Sequence, residues 1–470
     1  MSPDVGARRH SAVDAVQWIC DLGRMESRRS LVAISVGVAL AVVAATAQGA
    51  NAVASAPCGK VLPPAQGVYF GIRPGWDFQM PWYDDAVNAA NMPQFVALTG
   101  RSAAVVAFRT SWHDRLVFPT SEVELLWREG YVPQLGLVNW PVQDYGAPQP
   151  ALPGPFPNSM IAAGSQDDAL RRYADAARDT DVPIEFDYDQ EMQAAHPWGG
   201  RFDGGGSTAF GDPSWPDGPE HFRDAYRHLI DIFRQEGATN VTFIFQTNTI
   251  DGGYLPGSYW EPWEQMRFYY PGDAYIDWIG LSAYSEPYFN TGPPQTFEHK
   301  LLGGNGYEGS YAEITQLSAK PLMINEMGLY HMPSDQAKAQ WVEDASQVMQ
   351  SGEFPRIKGL VWWGDKSGDY EGYPSSPALL TGFKQAFVQP FFGAKAQFGG
   401  DCRPLAPEHA TVRKRTLMWS TVPNAAAYEV WRAGRRVTVT TATSLRVAKS
   451  GPYRVRGVNL VGLGPFTSAR

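Results

Sequence analysis

Two glutamates carry the clearest chemistry in this chain: Glu191 lies at the end of Ile-Glu-Phe-Asp-Tyr-Asp-Gln-Glu-Met (184–192), and Glu326 within Pro-Leu-Met-Ile-Asn-Glu-Met-Gly (321–328). Each stretch opens as a short apolar run of strand type. Both carboxylates therefore leave their strands at the same kind of edge, which is where a barrel enzyme keeps its reacting groups. Two carboxylates facing each other across a sugar suit cleavage of a glycosidic bond: one protonates the leaving oxygen, and the other attacks or stabilises the oxocarbenium-like centre. A glutamate at a strand end serves equally well as an ion-pair partner, so the elements around the pair must decide between the two.

Eight apolar runs occur in order: Gly67–Ile72, Ala104–Arg109, Val132–Asn139, Val182–Asp187, Val241–Thr247, Ile276–Tyr284, Pro321–Glu326 and Lys358–Trp363. Helical periodicity fills most intervals, clearest at Gln166–Arg178, Pro219–Gln235 and Ser334–Met349. Eight strands alternating with helices predict a (β/α)8 TIM barrel over residues 57–402. On that assignment Glu191 follows the fourth strand and Glu326 ends the seventh. Residues 60–393 exceed the roughly 250 typical of the fold. The surplus lies in Gly-, Pro- and Trp-rich loops at 141–165, 193–218 and 249–272, suited to walling a cleft.

Composition fits a folded, water-soluble protein: 44% of the 470 residues are hydrophobic and 19% charged. The 16 Trp, 21 Tyr and 23 Phe supply aromatic core, with some available to stack on sugar rings. Residues 1–56 read as an N-terminal extension and secretion signal. Arg28-Arg29 precede the apolar run Leu31 to Ala47, small residues follow to Ala56, and Met25 offers a second start. The run is short for a membrane span, so the expectation is export with cleavage near 50–56 and no stable membrane insertion. Cys58 and Cys402 would then be the cysteines left, one at each end of the barrel segment, either as one disulfide or as two free thiols.

Charge divides the chain. Residues 405–470 carry 11 Lys and Arg against 2 Asp and Glu, while 57–404 is net −19. An acidic body argues against nucleic acid as a partner, and the basic end suits an anionic surface or the acidic body itself. The eight His show no His-x-His or His-Glu-x-x-His spacing, so no metal or other cofactor is expected. There is no Gly-x-Ser-x-Gly elbow or phosphate loop.

Residues 403–470 alternate apolar and polar positions in Leu417-Met-Trp419, Tyr428-Glu-Val-Trp431 and Tyr453–Asn459, as a small all-β sandwich requires. Trp419, Tyr428, Tyr453 and Asn459-x-x-Gly462-x-Gly464 make this segment resemble a fibronectin type III module. Such modules act as spacers or docking units.

The barrel segment resembles glycoside hydrolase family 26, best known for β-mannanases. Three stretches carry the likeness: Tyr270–Tyr284, Lys320–Gly328 around Glu326, and Gln190-Glu191-Met192 followed by Pro197-Trp198-Gly199. The resemblance implies a retaining enzyme with Glu191 as acid/base and Glu326 as nucleophile, and Glu191 titrating high beside the second carboxylate. It gives Tyr284 the role of orienting Glu326. Trp198 and one of Trp362 or Trp363 become stacking platforms, since strand alternation sends the other outward. Gln190 stands where the family has a histidine that helps hold the nucleophile, and an amide can still donate there. Asp187 and Asp189 alternate on the same face of the fourth strand and, as neighbours of Glu191, could bind sugar or substitute for it. Mannan, β-1,3-xylan and mixed-linkage β-glucan all lie within the family's range of substrates. The competing class is a carbohydrate-binding barrel without turnover.

Overall fold

All eight apolar runs form strands: β1 (Val68–Arg73), β2 (Val105–Ser111), β3 (Val132–Val138), β4 (Ile184–Tyr188), β5 (Val241–Asn248), β6 (Trp278–Tyr284), β7 (Leu322–Gly328) and β8 (Ile357–Trp363). Each pairs with the next in parallel. Strand β1 also pairs with β8, from Tyr69 opposite Gly359 to Arg73 opposite Trp363, so the sheet closes into a barrel. The structure is a computed structural model and describes residues 59–469 except 75–90, 113–114, 141–153, 251–252, 286–292, 305, 365–371, 373, 375, 400–403, 405, 408, 423–424, 426, 448–450 and 459–465. The strands read as near-continuous apolar runs because a parallel barrel strand is covered on both faces.

Helices α1 (Asn91–Thr99), α2 (Thr120–Glu129), α3 (Asp167–Asp179), α4 (Asp217–Gln235), α5 (Met266–Tyr269), α6 (Gly309–Leu317), α7 (Asp335–Gln350) and α8 (Pro377–Phe387) occupy the successive intervals. Helix α7 starts where the Ser334 side chain accepts from the Ala337 N–H, and α8 where Ser376 accepts from Leu379. Both are N-caps that satisfy a donor the helix itself cannot. Helix α4 turns Phe222, Tyr226 and Phe233 onto the barrel wall against Phe186, Phe243 and Phe245. Much of the aromatic surplus is therefore core.

The inside of the barrel is polar at mid-height. Gln134, Glu185, Asp187, Gln246 and Asn325 are fully buried. Gln134 Nε2 donates to Glu185 Oε2 (2.9 Å) and Asn325 Oδ1 (3.0 Å), and Asn325 Nδ2 donates to Asp187 Oδ2 (3.1 Å) and to Gln246 Oε1. Burial pushes the Glu185 carboxyl up to about 7 despite the bond from Gln134. At the barrel floor, Val61–Leu62 pairs antiparallel with Gln397–Phe398. Lys60 Nζ reaches Asp277 there, and Trp278 Nε1 donates to the Val61 carbonyl.

The described part of residues 410–468 forms two antiparallel sheets. One is β9 (Ala410–Arg413), β10 (Thr416–Trp419) and β13 (Ser444–Arg446). The other is β12 (Arg435–Thr440), β11 (Ala427–Arg432), β14 (Tyr453–Val458) and the short Thr467–Ser468 strand. Their apolar positions Leu417, Trp419, Tyr428, Val430, Tyr453 and Val455 are buried, and Trp419 meets Tyr428 at 5.6 Å between ring centroids. The expected export signal, Cys58, Cys402 and the Asn459–Gly464 motif lie outside the described residues. Among the described residues no helix is long and apolar enough to cross a membrane.

Candidate active site

Glu326 owes its direction to one extra residue in β7. The β6–β7 ladder runs Leu281 opposite Ile324, then Ser282 opposite Glu326, and the β7–β8 ladder shifts over the same stretch, leaving Asn325 as a bulge. Strict alternation would point Asn325 and Glu326 to opposite faces. The bulge lets both enter the barrel, a recurrent device for re-aiming a side chain beside a site. Asn325 joins the mid-height network, and Glu326 stands above it at the mouth.

Two donors hold Glu326. Arg109 Nη2 reaches Oε1 at 3.0 Å, and the Tyr284 hydroxyl donates to Oε2 at 2.8 Å. Arg109 is buried and also lies 3.8 Å from Asp187 Oδ2, so one guanidinium serves two carboxylates from β2. Its path crosses Gly136 of the neighbouring β3, where a Cβ would come within 2.3 Å of Arg109 Cδ. Gly328 likewise leaves room for the Tyr284 ring, which a Cβ would meet at 2.9 Å. Burial pushes the Glu326 carboxyl above its ordinary range, and the nearby charge of Glu191 adds to this, against the pull of Arg109 and Tyr284.

Glu191 sits just past β4 on a left-handed backbone (φ 58°), two residues after Asp189, also left-handed (φ 46°). Asp adopts that region readily, but Glu does so rarely. Such conformations cost about 1–3 kcal/mol and gather at functional sites. The Glu191 N–H donates to the Gln246 carbonyl at 3.2 Å. The side chain meets His196 Nε2 at 2.9 Å, and the hydroxyl of Ser282, the residue opposite Glu326 in the ladder, favours its charged form. Burial raises the Glu191 carboxyl, but His196, Ser282 and Arg109 together draw it below its ordinary value. The expectation that Glu191 titrates high is thereby overturned, and the cause is the adjacent imidazole.

No family model matches the chain. Among curated proteins, Endoglucanase H of Acetivibrio thermocellus is 26% identical to it over 172 residues. The match covers 36% of this chain, which thus spans 17% of that relative's length. Among solved structures, an endo-β-1,4-mannanase double mutant from Cellulomonas fimi is similar at 15% identity, covering 86% of this chain and 94% of that one with a TM-score of 0.46. The catalytic domain of the GH26 endo-β-1,4-mannanase of Bacillus sp. JAMB-750 gives 16% identity, 70% and 87% coverage and a TM-score of 0.47.

The other expected site residues divide. Trp363 is half-buried at the mouth, with the Arg73 guanidinium 4.3 Å and that of Arg109 5.2 Å from its ring. Trp362 is the tryptophan that alternation sends outward: it is fully buried against Phe383 and Phe387. Its place in the core leaves it no open face for a sugar. Trp198 is 5% exposed. Its indole N–H donates to the Gln190 carbonyl at 2.8 Å, and His196 stacks on its ring at 4.6 Å and 9°. Among the described residues Gln190 makes no hydrogen bond to Glu326 and its buried Oε1 meets no donor; Arg109 holds the nucleophile candidate instead. Asp187 and Asp189 are fully buried beneath the mouth, where burial pushes them up to about 7 and about 8. Asp189 accepts from the Asn139 N–H and from Asn158 Nδ2, which ties the loop after β3 to β4.

Sequence reasoning missed Arg109, Ser282, Asn325 and His196 as parts of the site. An arginine ending a run of buried apolar residues was the available signal for Arg109. Ser282 and Asn325 gave no local signal beyond their position inside matched motifs.

Proposed function

We propose that this protein is a secreted retaining glycoside hydrolase that cleaves β-linked polysaccharide by double displacement, with β-1,4-mannan as first substrate. The observation that carries the proposal is the pairing at the barrel mouth of Glu326, gripped by Arg109 and Tyr284, with Glu191, which stands on strained backbone near enough for its charge to raise Glu326. Glu326 attacks the anomeric carbon as the glycosidic C–O bond breaks and Glu191 gives a proton to the departing oxygen. Water then displaces Glu326 from that carbon, passing its proton to Glu191. Arg109 keeps the nucleophile charged and aimed, and Trp363 offers the half-buried aromatic wall. Similarity to an endoglucanase over 172 residues supports a β-linked polysaccharide, and the likeness of Tyr270–Tyr284 and Lys320–Gly328 to family 26 motifs supports mannan.

The test is reducing-sugar release from mannan, glucomannan, β-1,3-xylan and mixed-linkage β-glucan by the protein, Glu191→Ala and Glu326→Ala. Azide added to the two variants with an activated aryl glycoside separates their roles. A retaining enzyme returns a glycosyl azide of retained configuration from the acid/base variant and of inverted configuration from the nucleophile variant. Turnover unaffected by either substitution would remove the assignment.

The contact between Glu191 and His196 favours a second reading, a carbohydrate-binding barrel without turnover, because it disfavours the proton a general acid needs. Binding to one of these polysaccharides with no release would select it.

We also infer that residues 1–56 direct export and that 403–470 form a fibronectin type III-like spacer. Exposed Arg413, Lys414, Arg415, Arg435 and Arg436 at its hairpin turns support docking to an anionic surface. Retention on an anionic polysaccharide should weaken with salt, and equal retention of a chain ending at 402 would count against it.

A further inference from the structure

His196 is held as if its position mattered. It lies five residues past Glu191 in a loop closed on itself, with the Ala194 N–H donating to the Glu191 carbonyl (2.9 Å) and the Gly199 N–H to the His196 carbonyl (2.8 Å). Its ring lies flat on Trp198, which is buried and pinned by its own hydrogen bond to the Gln190 carbonyl. With one face covered, the imidazole presents its Nε2 edge to Glu191 Oε2 at 2.9 Å. Among the described residues, the titratable and hydroxyl groups that act on Glu191 from other elements include Arg109 on β2, Asp187 on β4, Ser282 on β6, Glu326 on β7, and Tyr259 from the loop before α5. Among these, Arg109 is already committed to Glu326 and Asp187.

We propose that His196 is the positioning residue of the acid/base: it fixes the rotamer of Glu191 and holds, across their hydrogen bond, the proton that Glu191 delivers. This rests on Glu191 being the acid/base. The proton used in the first step lies in the hydrogen bond between the two side chains. In the first step that proton leaves through Glu191 to the departing glycosidic oxygen as the C–O bond breaks and Glu326 bonds the anomeric carbon. In the second, water bonds that carbon, the bond to Glu326 breaks, and the proton released by water returns to the pair. An acid that draws on a neighbouring imidazole answers the difficulty that Glu191, beside His196, holds a proton poorly.

The test needs no substrate. Carboxyl ¹³C shifts are followed against pH in glutamate-labelled protein, with Glu191→Gln used to assign Glu191, for the wild type, His196→Ala and His196→Gln. With the imidazole gone, burial is left to dominate, and Glu191 should titrate about one pH unit higher or more in both variants. The basic limb of kcat/KM should move the same way. An unmoved Glu191 titration in the glutamine variant, which preserves the loop best, would reduce His196 to packing and overturn the proposal. Failure to cut any polysaccharide would remove the proposed function, while the titration would still decide whether His196 governs Glu191.

Discussion

Arg109 is the side chain on which most of the site converges. It pairs with Glu326, lies near Asp187, covers Trp363 and passes over Gly136. Lysine would keep the charge but lose the planar fork that reaches two carboxylates at once. Arg109→Lys should therefore lower kcat/KM on the order of 100-fold, as a misplaced reacting group does, with far less effect on folding; steady-state kinetics beside thermal melts would check this. Removing the charge altogether, in Arg109→Ala, leaves two buried carboxylates uncompensated and should cost about 3–5 kcal/mol of stability. None of this was legible beforehand. Arg109 and Glu326 are separated by 217 residues, and no local pattern connects them. The two glutamates stood out as candidates because each lies near the C-terminal end of a strand-type run.

Element by element, the sequence is most readable where both faces of a strand are covered, and all eight barrel strands appear as apolar runs for that reason. It is least readable where regular alternation breaks. The bulge at Asn325 is invisible in Met-Ile-Asn-Glu-Met, yet it decides which way Glu326 points. Where alternation holds, at β8, it separates two adjacent tryptophans. Trp362→Ala should cost about 3–5 kcal/mol through the cavity it leaves. Trp363→Ala should leave the melting temperature nearly unchanged and weaken substrate binding, so the two variants should exchange phenotypes between calorimetry and kinetics. The mid-height network gives the barrel an uncommon pH response. Glu185 is pushed up from 4.5 to about 7, so the folded state retains a proton that the unfolded chain loses. The stability this contributes is full below about pH 4.5 and is lost as pH rises to about 7. Asp187 and Asp189 act in the same direction. Glu185→Gln should flatten that decline, retaining up to about 3 kcal/mol at neutral pH, measurable by denaturant unfolding across that range.

For the whole molecule, the floor clasp brings the two ends of the barrel segment together. Val61 pairs with Phe398, and a Cβ on Gly59 would meet the Gly399 carbonyl. Cys58 and Cys402, proposed to pair as a disulfide, flank this clasp in sequence. Mass spectrometry after alkylation without reductant should find neither thiol free. Reduction should cost about 6 kcal/mol in the chain-entropy account, since the bridge closes a very long loop. An unchanged melting temperature after reduction would mean that the strand pair alone holds the ends.

The two arms of the clasp, at residues 60–62 and 397–399, lie side by side on the floor, with Val61 bonded to the starts of β5 and β6, away from the mouth where Glu191 and Glu326 stand. The barrel is in effect a ring of polypeptide with a single seam. A short linker across that seam, with new ends opened in another floor loop, would give a circular permutant whose strand order around the barrel is unchanged. The mouth that holds Glu191 and Glu326 would not register where the chain begins.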